Sequence, residues 1–146
     1  MPILNYTTEV PTMKTVGEIH GILVQHGAES VSTDYRDGKP IAVSFSIRLN
    51  GNALTCRLPT NPGGVLRSMM SDPKVSSRKA TEAQAERVSW RIIKDWLEAQ
   101  MAIVVTNQAE MAEVFLPYVI TDRSGLTVYQ QFKEHNQKQL AEGAGQ

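Results

Sequence analysis

The chain predicts an α+β fold: an antiparallel meander of three to four strands, packed by an N-terminal helix and one long, largely buried helix, with short helices at the C-terminal end. Three observations carry this expectation. Between Val31 and Leu58 apolar residues alternate with polar ones in runs punctuated by Asp37-Gly38 and Asn50-Gly51, dipeptides that supply the positive backbone angles of tight hairpins. Residues 81–105, TEAQAERVSWRIIKDWLEAQMAIVV, are apolar at helical spacing over far more than half of a cylinder. Finally, a chain of 146 residues with 41% hydrophobic residues is one domain's worth, able to bury roughly two-thirds of its unfolded surface without a disulfide or metal. One domain is expected over residues 1–132, followed by a polar, mobile tail at 133–146.

From the N-terminus, Ile3 to Thr8 is expected as a fourth strand at the sheet edge. Thr15-Val16-Gly17-Glu18 has the spacing of a capping box, so a helix is expected to start there, with Val16, Ile19, Ile22 and Leu23 on its buried side and Gly27 closing it. Val31, Thr33 and Tyr35 form the first alternating run. Ile41, Val43, Phe45, Ile47 and Leu49 form the second, with Ala42, Ser44, Ser46 and Arg48 on the opposite face. Leu54, Cys56 and Leu58 form the third, which Pro59 stops because it lacks a backbone donor.

Residues 59–81 hold three prolines, two adjacent glycines and four serines, which predicts loop with one helical turn around Val65 to Met70. Thr81 with Gln84 then caps the long helix in the manner of a capping box. In that helix, Ala85, Val88, Ile92, Trp96, Ala99 and Ile103 make one apolar stripe, and Trp90, Ile93, Leu97, Met101 and Val104 make another about 120° away. One neighbour cannot bury both, so the helix must lie between its own sheet and either a second element or another copy of the chain. If a copy, the interface is Trp90, Ile93, Leu97 and Met101 and the protein is a homo-oligomer. A short helix is expected between Asn107 and Val114, packing at Phe115-Leu116-Pro117-Tyr118, a turn at Asp122-Arg123-Ser124-Gly125, and a last helix from Thr127 to Phe132.

Net charge is zero, against the usual excess of Lys and Arg in nucleic-acid binders, but the charge is unevenly placed. Between Arg57 and Lys94 there are 8 basic and 3 acidic residues, leaving 7 basic and 12 acidic of the 15 and 15 elsewhere. A basic middle in an acidic remainder points to an anion-facing surface, the bland alternative being a solvated linker. The candidate ligand-binding residues are Arg57, Arg67, Arg78, Lys79, Arg87 and Arg91. The junction from Arg78 to Arg87 stands out because phosphate binds well where the free donors of a helix start meet cations.

No metal, cofactor or catalytic set is predicted. His20, His26 and His135 lack ligand-spaced partners, Gly63-Gly64 precedes no lysine-serine pair, and no serine sits in a nucleophile elbow. Cys56 falls on the core-facing side of a strand. A lone cysteine suits a reducing cytoplasm, and no apolar run approaches the roughly 20 residues of a membrane span. The start, MPILNYTTEVPTMK, lacks the charged-then-apolar order of a signal peptide.

The runs RVSWRIIKDWLEAQMA (87–102), EVFLPY (113–118), KTVGEIHGILVQHGAESV (14–31) and CRLP (56–59) resemble a family of small uncharacterised proteins carried by bacteriophages and other bacterial mobile elements. The resemblance covers most of residues 1–132 and implies a genetic setting, with no activity or catalytic residue attached. The order helix, three antiparallel strands, long helix also resembles the core of Rad52-like single-strand annealing proteins, an analogy of fold alone. The expected function is that of a non-catalytic protein binding a phosphate-bearing ligand, single-stranded nucleic acid above all, through the basic middle segment. The alternative is an anti-defence protein that sequesters a nucleotide signal or occupies a host protein.

Overall fold

A computed structural model describes residues 2–144. Its elements run α1 (Thr12–Gln25), β1 (Ser30–Arg36), β2 (Lys39–Leu49), β3 (Asn52–Arg57), α2 (Pro62–Ser71), α3 (Glu82–Val105), α4 (Met111–Phe115), a 3-10 turn (Leu116–Tyr118), β4 (Val119–Ile120) and α5 (Val128–Ala144). The strands form one antiparallel sheet in the order β1-β2-β3-β4, so the chain is α+β, a meander with helices at both ends.

Both hairpins form at the dipeptides that predicted them. Asp37 and Gly38 take φ of 52° and 76°, and Asn50 and Gly51 take 51° and 83°, so each two-residue loop matches the twist of its strands. The register sets Val43 opposite Thr33 and Phe45 opposite both Val31 and Cys56. Strand alternation then sends Val43, Phe45, Ile47 and Cys56 to one face, where all are buried beneath α1 and α3. The other face carries Ala42, Ser44, Ser46, Thr55 and Arg57 and has no such cover.

The fourth strand is not Ile3–Thr8. Asn5 has φ of 65°, and the segment curls into turns closed by Tyr6 N–H to Ile3 O (3.3 Å) and Thr8 N–H to Asn5 O (3.0 Å). The place beside β3 goes to Val119 and Ile120, opposite Cys56 and Thr55. Helix α1 also departs from expectation. It starts at Thr12, after Pro11 with φ of −59°, so Thr15 lies inside it, fully buried, and no Thr15–Glu18 capping box forms. Its far end does close as predicted: Gly27 (φ 97°) donates to Val24 O and Ala28 to Leu23 O, the paired bonds of a Schellman motif.

Residues 62–71 are a ten-residue helix rather than a loop. Asn61 Oδ1 accepts from Gly64 N–H at 3.1 Å and Pro62 occupies the first turn, where its missing donor costs nothing. This helix supplies the second layer over α3. Ala85 and Val88 pack with Met69 and Val75 in a second cluster, flanked by Ile3, Tyr6 and Ile92. Trp90, Ile93, Leu97 and Met101 belong to the main cluster with the sheet and α1. The second stripe is therefore buried by the sheet and α1, and the N-terminal part of the first by α2, while Ala99 is exposed and Ile103 half-buried. The four residues expected as an interface between copies are intramolecular core, each no more than 8% exposed.

Only half of the second capping box exists. Thr81 Oγ1 accepts from Gln84 N–H at 3.2 Å, but the Gln84 side chain turns away and donates to Tyr6 O and Thr8 O at 3.0 and 2.9 Å. Asn5 Nδ2 adds a 2.8 Å bond to Asp95 Oδ2, so residues 3–8 form a strap across α3. At the other end Asn107 (φ 61°) closes α3, and the next helix starts only at Met111. Helix α5 does not stop at Phe132 but runs to Ala144, because glycine and proline are absent from residues 128 to 142. Residues 145 and 146 of the expected tail lie outside the described residues.

Candidate ligand-binding groove

Arg57 ends β3 on the uncovered face, one residue past the buried Cys56. Its Nη2 donates to Gly125 O at 2.7 Å and reaches Gln130 Oε1 at 3.4 Å. That bond pins the turn that starts α5, whose shape owes two more features to sequence. Gly125 has φ of 75°, and the Ser124 hydroxyl and amide both donate to Asp122, holding that carboxyl below its usual range. Thr127 and Gln130 then make the reciprocal capping box that Thr81 and Gln84 do not. Gln130 N–H donates to Thr127 Oγ1 at 3.2 Å, and Thr127 N–H to Gln130 Oε1 at 2.9 Å.

With α5 fixed this way, a groove of about 440 Å³ opens between its first turns and the ends of β2 and β3. Arg57, Lys133, Tyr118, Tyr129, Gln130 and Thr60 line it. Tyr129 is 55% exposed, enough to offer a ring face. Both Arg57 bonds use the same nitrogen, so Nε and Nη1 have no protein partner among the described residues. Cationic nitrogens, hydroxyls, an amide and two phenol rings converging on a concave surface can hold an anionic group and a flat ring together.

The other predicted cations do not gather here. Arg91 donates to Glu18 Oε2 at 2.8 Å between α3 and α1. Arg87 gives Nε and Nη2 to Gln84 Oε1 at 2.9 and 2.6 Å, bracing the residue that holds the N-terminal strap. Arg67 folds back over the first turn of α2 beside Gly63 and Gly64, and Arg78 and Lys79 sit in the turns before α3. Lys94 is shared between Glu18 at 3.7 Å and Glu98 at 2.8 Å. The junction expected as an anion site is flanked instead by a small groove between α2 and α3 lined by Glu82 and Glu86, where an anion would be repelled.

Of the six predicted residues, then, Arg57 alone lines the groove. Lys133 was missed as a site residue because the last helix was expected to end at Phe132, and Tyr129 and Gln130, inside that expected helix, because no local pattern sets it beside Arg57. Thr-x-x-Gln at 127–130 fixes where that helix begins, but its place beside β3 is set by the long-range bond from Arg57 to Gly125.

Other chemistry is sparse. Burial pushes the Cys56 thiol up to about 11, which makes it inert at neutral pH. Among the described residues no group of three or more His, Cys, Asp or Glu side chains is placed to hold a metal ion, and no helix is long and apolar enough to cross a membrane. No family model matches the chain, and neither a curated protein nor a solved structure matches it.

Proposed function

We propose that this is a non-catalytic protein that binds a phosphate-bearing ligand, single-stranded nucleic acid foremost, at the groove between β3 and α5. The observation that supports this reading is the convergence of Arg57 and Lys133 on a groove walled by Tyr118 and Tyr129. Proteins that hold single strands without reading sequence combine cations for phosphates with aromatic rings on which bases stack. The uncovered sheet face beside it, with Ser44, Ser46 and Thr55, is low and hydroxyl-rich and leaves room for a strand to run on. The contribution of the basic middle segment to this binding reduces to Arg57.

The test is titration of a labelled oligonucleotide at several salt concentrations. With about two phosphates neutralised, log affinity falls with log salt at a slope of about −1.4, or roughly sevenfold between about 50 and 200 mM. Arg57→Ala with Lys133→Ala flattens that slope, and Tyr129→Ala weakens binding at every salt concentration. Absence of binding in the unaltered protein, or an unchanged slope in the double variant, rejects the reading.

The groove volume favours one second reading, sequestration of a single nucleotide by an anti-defence protein, since 440 Å³ lies within the range of small-ligand sites. Under that reading a mononucleotide competes as well as an oligonucleotide of the same base, whereas a strand-binding protein prefers the longer ligand.

A further inference from the structure

Two surfaces lie unpartnered side by side at the β1 edge of the sheet. The first is the strand edge. β1 is outermost in the order β1-β2-β3-β4, and among the described residues no backbone bond joins Ser30–Arg36 to any element but β2. Exposed edges are usually blunted by lysine, proline or a bulge. This one has neither lysine nor proline, and its irregularity falls late, between Asp34 and Tyr35.

The second surface is the outer stripe of α1. Met13, Gly17, Gly21 and Val24 follow one another at spacings of four, four and three, with Met13 53% and Val24 62% exposed. Met13, Gly17 and His20 border β1 across a groove of about 310 Å³ shared with Thr33 and Tyr35. Interior glycines weaken a helix relative to alanine, and here nothing in the chain demands them, since a Cβ added at Gly17 or Gly21 meets nothing within 4 Å.

We infer that β1 and α1 together form a two-fold interface with a second copy of this chain, joining two four-stranded sheets into one of eight. A two-fold axis through Thr33 pairs β1 with itself over its whole length. Val31 then faces Tyr35 of the second copy, a β-branched and aromatic pair of the kind that stabilises sheets. Asp34 faces a serine and so does Arg36, so hydroxyls meet each charge and no like charges are opposed. The same operation covers α1. Its His20 Nε2 is 2.6 Å from Thr33 Oγ1, which sets mid-helix level with mid-strand, and α1 packs over β1 and β2. The two copies of α1 thus run antiparallel about two strand spacings apart, roughly 10 Å, which is the separation at which helices pack. Glycine in the facing stripe allows that approach. One symmetry operation satisfies the strand edge, the apolar stripe and the two glycines together. An extended peptide from another protein would satisfy only the edge.

The experiment is sedimentation of the full chain from about 1 to 100 μM, a range that covers the weak end of standard interfaces, combined with hydrogen exchange at each concentration. A dimer is expected, with amides of residues 30–36 gaining protection as concentration rises. Gly17→Gln with Gly21→Gln has space for both side chains in the single chain, so circular dichroism and the unfolding midpoint are expected to be unchanged or improved. The same pair should raise the dimer dissociation constant at least about tenfold. A chain that stays monomeric throughout, or a dimer whose constant the folded double variant leaves unaltered, overturns the inference.

Discussion

On the helix-covered face of the sheet, Val43, Phe45, Ile47, Cys56 and Val119 are all at least 94% sealed from solvent, while the opposite face of the same strands carries Ser44, Ser46 and Arg57, half-buried, and Thr55, exposed. Adjacent residues of one strand therefore answer to different demands. The covered set carries stability through apolar burial and tolerates little change, whereas Ser44, Ser46 and Thr55 can vary toward a ligand at little cost to the fold. The contrast also explains why charge along the chain misleads. Arg91 and Arg87 lie on the covered side and serve packing, while Arg57, one step from the core, is the cation that reaches a groove.

The largest test of this contrast is Leu97→Ala on the covered side. Leu97 is fully buried in the main cluster, so the change is expected to cost about 3 to 5 kcal/mol, read as a lower midpoint in urea. A folded chain of unaltered stability would mean that the side chain faces a partner rather than the core.

Next in size is the response to alkali. The buried Cys56 thiol has its pKa raised from 9.0 to about 11, so the unfolded chain loses its proton first. The stability this group contributes is intact below pH 9 and is lost as pH rises toward 11, by about 1.4 kcal/mol per unit of separation. Cys56→Ala removes that slope in alkaline denaturation, and alkylation of the native thiol at pH 8 is expected to be far slower than in urea.

A smaller effect is expected at the seam between α1 and α3. Glu18→Gln leaves Arg91, whose side chain is 17% exposed, without its carboxylate, and a loss of about 1 kcal/mol is expected after allowing for solvent at the one-third exposed Glu18. Smallest of all is Ser46→Ala on the open face. It removes a 2.6 Å bond to Ser30 on the surface and is expected to shift stability by no more than about 0.5 kcal/mol. If it rivals Glu18→Gln, the open face is not open.

Much of this arrangement is legible in the residues. The two hairpins follow from Asp-Gly and Asn-Gly between alternating runs, since those dipeptides fit one turn and the alternation permits one register. The two-sided burial of α3 follows from its stripes, although the sequence left open whether the second cover is internal. It is internal because Asn61 and Pro62 start a helix in a stretch whose prolines and glycines had pointed to loop. Thr15 misled for the opposite reason: Thr-x-x-Glu is a start signal only when the preceding residues are extended, and Pro11 had already begun the helix. The site was hardest to read. Cations close in sequence point to one shared site, but α1 and the strap claim Arg91 and Arg87, and the groove is made by Arg57 meeting a turn 68 residues later.

The strap also orders events during synthesis. Chains are made from the N-terminus at about 5 to 20 residues per second, and the hairpins from Ser30 to Arg57 close within their own neighbourhood. Asn5, Tyr6 and Thr8 instead wait for Gln84 and Asp95, 76 to 90 positions downstream. For several seconds β1 to β3 are complete while residues 3–8 still lack the helix that they strap, so Ile3 and Tyr6 have no α3 to cover until residues 84 to 95 follow.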